Sequence, residues 1–192
     1  RRNISVADLM GMSSGLLFNE DYGSVTDVTR MLFLEPDMAN FALKKPLEGK
    51  TGLKFNYSSG TAVLLSRIWQ NALGENAGAY PSQALFTPLG MASAVMEADA
   101  SGTFVGSSYL YATGRDWARF GEFLRLDGFW NGKAVLPPGF VSMMREPVAV
   151  SDSGYGVEYG KGQLWLRGPE GATQAGFDPD AGFELPDDTF WM

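Results

Sequence analysis

From Ser58 to Leu73 the apolar residues Leu65, Ile68, Trp69 and Ala72 recur at the spacing of one helical face, and Gly74 stands where a helix of that length would stop. No other stretch constrains the fold as tightly. Shorter helices are predicted around it. Residues 4–12 carry Ser5 with Asp8 three positions on, a capping-box pattern. Residues 25–34 and 37–43 read as helices parted at Pro36, because the residue before a proline is pushed out of helical geometry. Residues 80–86 read as a short helix ended before Pro88. Residues 114–126 read as a helix with Thr113 and Asp116 as its capping pair. Its apolar face is Trp117, Phe120, Gly121 and Leu124, opposite Arg119 and Glu122. Pro138 opens a last helix to about Met144.

Strand signals gather later in the chain. Short strands are predicted around Val95 and Tyr109. Trp130–Asn131–Gly132–Lys133 reads as a hairpin turn, since Asn-Gly tolerates the positive φ of a type I′ turn. Residues 155–167 and 182–191 read as strands around a Gly-rich loop. Helices first and strands last predict an α+β fold, with an α-helical lobe over 1–145 and the start of a sheet region over 146–192. The chain begins at Arg1 and ends in the aromatic run Phe190–Trp191–Met192, which reads as a strand without a following partner. Both ends are expected to continue into a longer protein.

Composition narrows the chemistry. There is no His and no Cys, so Ser-His-Asp and Cys-His nucleophile systems are excluded within this chain. No cofactor and no metal is called for. The formal net charge is −7 with no basic stripe, which gives a nucleic-acid partner no electrostatic support. A run of about 18 apolar residues, the length that signals a membrane span, is absent. The lack of Cys leaves the compartment open between cytoplasm and cell envelope.

Three short motifs bear on catalysis. Gly11–Met12–Ser13–Ser14–Gly15 fits the G-x-S-x-G nucleophile elbow, but the elbow needs a strand before it and a helix after it. A helix is predicted before this one, so it reads as a helix stop. Lys50–Thr51–Gly52 lies in a Gly/Pro loop and reads as a turn leading toward Tyr57. Tyr57–Ser58–Ser59–Gly60 places a phenol just before a helix N-terminus, whose positive end would favour a phenolate able to take a serine proton. The same residues also fit a packed tyrosine beside a Ser58 helix cap.

Four segments in order give the chain a resemblance. Residues 4–15 resemble the "I-T-x-x-x-L-L-x-M-T-S-G-L" segment of β-lactamase-like serine hydrolases, the penicillin-recognising superfamily. Residues 55–60, Phe-Asn-Tyr-Ser-Ser-Gly, resemble its "F-x-Y-S-[NS]" motif. Residues 86–91, Phe-Thr-Pro-Leu-Gly-Met, and the block 106–138 with Asp-Trp-Ala-Arg-Phe-Gly and Asp-Gly-Phe-Trp-Asn-Gly-Lys, resemble two more. The nearest branch is that of esterases and 6-aminohexanoate-dimer-hydrolase-like amidases.

The resemblance implies a bacterial β-lactamase/transpeptidase-like fold, a helical lobe packed on an antiparallel sheet, with the site between them. It implies a Ser-x-x-Lys nucleophile helix, Tyr57 as the catalytic proton relay, Ser59 as a site-lining or substrate-binding hydroxyl, and a small-molecule ester or amide, β-lactams included, as substrate. The departures are specific. No Ser in the chain has Lys three residues on; Ser142 has Arg145, which stays protonated and cannot replace it. The nucleophile is expected before Arg1 and the Lys-Thr-Gly or His-x-Gly strand after Met192. Ser59 stands where β-lactamases prefer Asn, which favours an esterase or amidase. The chain by itself is expected to be inactive. A non-catalytic binding or sensor protein of the same fold, and an independent helical module, are the alternatives.

Overall fold

The computed structural model describes residues 3–148, 159–166 and 190. Helices α1 Val6–Met10, α2 Asp27–Leu34, α3 Met38–Leu43 and α4 Ser59–Leu73 build the first half. The caps follow the sequence. The Ser5 and Asp8 side chains close a reciprocal capping box on α1, and the Asp37 and Ser58 side chains accept backbone N–H groups at the starts of α3 and α4.

These four helices pack on one core of Leu9, Leu16, Phe18, Val28, Met31, Leu32, Met38, Ala39, Ala42, Val63, Leu64 and Val105. Helix α4 passes through its middle. Its first turns are buried on every side, with Ser59, Gly60, Thr61, Ala62, Val63, Leu64 and Ser66 all enclosed. The face predicted from apolar spacing is the less buried one: Leu65 packs only partly on the core and Ile68 is exposed. Small residues explain the difference, because they let neighbouring chain approach closely. A Cβ at Gly60 would lie 2.6 Å from the Phe18 ring and 3.1 Å from Ala42 Cβ, so only glycine fits there.

A second core gathers Phe86, Leu89, Met91, Phe123, Leu124 and Val141. It is built by a π-helical turn Ser82–Phe86, helix α5 Thr87–Leu89, helix α6 Gly114–Arg125 and helix α7 Phe140–Met144. The helical stretch runs through Pro88 rather than ending before it. Proline is tolerated in a first turn, where its missing N–H has no partner to lose; here it sits in the first turn of α5. In α6 the buried apolar residues are Phe123 and Leu124, whereas Trp117 is 40% exposed, so the packed face is rotated from the predicted one.

Two antiparallel hairpins complete the mixed architecture. Strands β1 Val95–Met96 and β2 Leu110–Tyr111 pair Val95 with Tyr111. Strands β3 Phe129–Trp130 and β4 Lys133–Ala134 pair across Asn131 and Gly132, at φ of 47° and 75°, as a type I′ turn requires. Of the two late strands predicted, residues 155–158, 167, 182–189 and 191 lie outside the described residues. Within the described part, Tyr159 bridges Trp165 and Gly160 bridges Pro147, both antiparallel. Among the described residues no helix is long and apolar enough to cross a membrane.

Candidate functional site

The entry to α4 is held by backbone contacts from far along the chain. The Asn56 N–H donates to Met12 O at 2.7 Å, and its side-chain amide donates to Leu16 O and Phe18 O. The Gly52 N–H donates to Ser13 O at 2.8 Å. These bonds fix Tyr57 at the mouth of α4, just ahead of the Ser58 cap.

Tyr57 is half-buried. It packs on a small third core of Met12, Phe55, Ala62 and Tyr159, together with Val148 and Trp165. Its ring is tilted over Trp165 at 5.1 Å and meets Tyr159 edge-on at 6.1 Å. Both are favourable aromatic geometries. Tyr159 is buried, and that burial, with the neighbouring Tyr57 as a smaller cause, pushes its phenol far above the ordinary tyrosine value. Of this pair, Tyr159 is the buried ring and Tyr57 the more accessible one.

Ser59 is 5% exposed and is clamped by a residue the sequence reading did not single out. Glu20 takes both of its donors: Ser59 N–H at 2.8 Å and Ser59 Oγ–H at 2.5 Å. Tyr22 donates its hydroxyl to the same carboxylate at 3.2 Å. The Tyr22 phenol is pushed up, chiefly by partial desolvation; a hydrogen bond from Ser59 opposes this and the negative charge of Glu20 adds to it. Tyr22 is 59% exposed, so it borders the Tyr57–Ser59 turn instead of packing into a core. By contrast Tyr109 reaches Leu32 O and packs on the first core, Trp130 packs on the second, and Tyr111 is exposed on β2.

The other sequence candidates are placed elsewhere. Helix α1 precedes Ser13, which is buried with its hydroxyl near Asp8 O, so the elbow geometry is absent. Lys50–Thr51–Gly52 is a turn, and Thr51 reaches Ser14 O. Asp116 is buried, and Ser93 (both its hydroxyl and its N–H) and Arg119 lower its pKa. It pins the loop before β1 to the start of α6 and takes no part in the Tyr57 cluster. Among the described residues no group of three or more His, Cys, Asp or Glu could hold a metal ion.

An α+β fold with a tyrosine–serine turn opening its central helix defines the class, and the comparison with known proteins agrees. The chain belongs to the beta-lactamase family, whose profile matches residues 1–184. It is similar in structure to a protein described as a 6-aminohexanoate-dimer hydrolase from Bacillus anthracis, with a TM-score of 0.73 at 21% identity over 86% of this chain and 48% of that one. It is similar to a protein described as a β-lactamase from Bacteroides dorei, with a TM-score of 0.63 at 18% identity over 84% of this chain and 52% of that one. It is also similar to a D-stereospecific amidohydrolase from Streptomyces, with a TM-score of 0.62 at 19% identity over 85% of this chain and 57% of that one. At these identities the likeness shows the fold alone. The chain spans about half the length of these structures. No curated protein matches it.

Proposed function

We propose that this chain supplies the proton-relay wall of a serine hydrolase that cleaves an ester or amide through an acyl-enzyme. The observation that carries the reading is the contrast between two touching phenols. Tyr57 is half-buried at the N-terminus of α4, while Tyr159 beside it is buried, and that burial raises its phenol above the ordinary tyrosine value. A phenol at a helix N-terminus is favourably placed to carry negative charge.

The chemistry then runs in two halves. Serine Oγ bonds to the substrate carbonyl carbon as its proton passes to the Tyr57 oxygen. The bond from that carbon to the leaving group breaks, and the Tyr57 proton goes to the leaving group. Water repeats the sequence and releases the acid. The serine and its lysine come from a Ser-x-x-Lys helix outside residues 1–192.

The test compares the 192-residue chain with the longer gene product on p-nitrophenyl esters and p-nitroanilides. The chain alone shows no turnover, and the longer product turns over substrate with a serine-directed inhibitor labelling a Ser-x-x-Lys serine. Serine-inhibitable turnover by the 192 residues alone, or a longer product without activity, contradicts the reading.

A further inference from the structure

Trp165 and Tyr159 reach Tyr57 on a turn with little freedom of its own. The turn 159–165 closes through Gly160 N–H to Leu164 O at 2.7 Å. It docks on the end of α7 through Gly162 N–H to Met144 O at 3.1 Å and Lys161 N–H to Glu146 O at 2.9 Å, and Val148 N–H donates to Tyr159 O at 2.8 Å. The seat is tight. A Cβ at Gly160 would collide with Met144 O, and one at Gly162 with the Met144 side chain, so the backbone approaches as only glycine allows. Leu164 and Leu166, either side of Trp165 in sequence, are buried and fix the backbone that carries the indole.

Trp165 touches all three other rings gathered there. Its centroid lies 4.9 Å from Tyr159, 5.1 Å from Tyr57 and 5.9 Å from Phe55, and only toward Tyr57 is the pairing close to face-on, at an interplanar angle of 33°. Tyr159 stands across the Tyr57 ring at 79°. A rotamer change at Tyr57 has to open these contacts, and it would carry the phenol oxygen, at the far end of the side chain, furthest of all. Tyr57 lies in the loop just ahead of α4, where the backbone by itself leaves χ1 free among its staggered wells.

We propose that Trp165 is the positioning residue for the Tyr57 phenol: its indole face, delivered by the glycine-seated turn 159–165, holds the ring in the rotamer from which the oxygen exchanges a proton with the serine. This inference rests on the reading of Tyr57 as the proton relay. A relay works only within hydrogen-bond reach of both partners, and a misplacement of about 1 Å in such a constellation costs on the order of 10²-fold. Helix α4 supplies the favourable electrostatics, and the turn 159–165 supplies the orientation.

The experiment uses the full-length protein and p-nitrophenyl butyrate, with stopped-flow bursts separating the acylation rate constant from the substrate dissociation constant. Trp165→Leu lowers the acylation rate constant about tenfold to hundredfold and leaves the dissociation constant within about twofold. Trp165→Phe restores a flat ring face and brings the rate back to within about threefold of wild type. In Tyr57→Phe the ring stays and the hydroxyl is gone; adding Trp165→Leu there changes the residual rate by less than about twofold, since the effect travels through that hydroxyl. Should Trp165→Leu fail to fold, Trp165→Met, which fills more of the indole's space without its flat face, carries the same expectation.

A ring that merely stabilised the fold would leave acylation by the folded enzyme unchanged. Acylation within about twofold of wild type in Trp165→Leu or Trp165→Met overturns the inference and leaves the relay reading in place. So does an equal loss on the Tyr57→Phe background, a Trp165→Phe as slow as Trp165→Leu, or a weakened dissociation constant at an unchanged rate. Acylation by Tyr57→Phe at the wild-type rate, or none by the wild type, overturns the relay reading and this inference with it.

Discussion

The two ends of α4 are both tied down by polar side chains, and they are tied in opposite ways. At the C-terminal half, Arg67 donates to Asp37 at 2.9 Å, to Ser101 Oγ at 2.7 Å and to Thr103 Oγ1 at 2.6 Å. Gln70 takes the Phe104 N–H and donates to Gly102 O. Asp99, itself buried, gathers the N–H groups of Met38, Ser101 and Thr103. Here cation meets carboxylate, as in a structural joint. At the N-terminal end Glu20 faces hydroxyls and an N–H, and among the described residues no Lys or Arg pairs with it. Natural folds leave local electrostatics unbalanced where function requires it. Under the proposed function, the difference divides the helix into an end that holds the fold and an end that serves the chemistry.

That division can be broken by substitution. The larger effect is expected at the C-terminal half. Arg67→Ala removes three hydrogen bonds, two to hydroxyls and one to a partly exposed carboxylate, and lowers stability by about 1–3 kcal/mol. Chemical denaturation of the variant measures this. In the full-length protein its kcat/KM stays near wild type, and a loss of activity at unchanged stability would erase the distinction between the ends.

A smaller effect sharpens the other side. The Tyr159 phenol is raised in the folded state, so the stability it contributes is complete below the unfolded tyrosine value near ~10 and is lost as pH climbs above it. Denaturation midpoints from pH 9 to 11 should therefore fall more steeply for wild type than for Tyr159→Phe. Equal slopes would mean that Tyr159 is not the protonated, buried member of the aromatic pair.

Much of the scaffold was legible in the sequence because its signals are local. Ser5, Asp37, Ser58 and Thr113 lie at the starts of helices whose backbone N–H groups need acceptors, and Asn131–Gly132 carries the only backbone geometry a two-residue hairpin of this type accepts. Tyr57 drew attention by its place before the α4 cap, and Ser59 only through the resemblance of residues 55–60 to the family motif. The clamp did not. Glu20 sits in a stretch of Asn, Glu and Asp that looks like any solvated loop, and its partner is 39 residues away. The same holds for Tyr159 and Trp165, which reach Tyr57 only through tertiary packing. The apolar spacing of α4 named the helix correctly but not its buried face, because small residues packed tightly outweigh large ones spaced well.

The account turns on which of two adjacent phenols moves the proton. The direct measurement is the rate of acyl-enzyme formation in the full-length protein, followed by rapid-quench mass spectrometry with an activated ester, in Tyr57→Phe and Tyr159→Phe side by side. The account predicts that Tyr57→Phe slows acylation by about 10²–10⁴, while Tyr159→Phe stays within about threefold of wild type, roughly 0.6 kcal/mol. Acylation by Tyr57→Phe at the wild-type rate would contradict it.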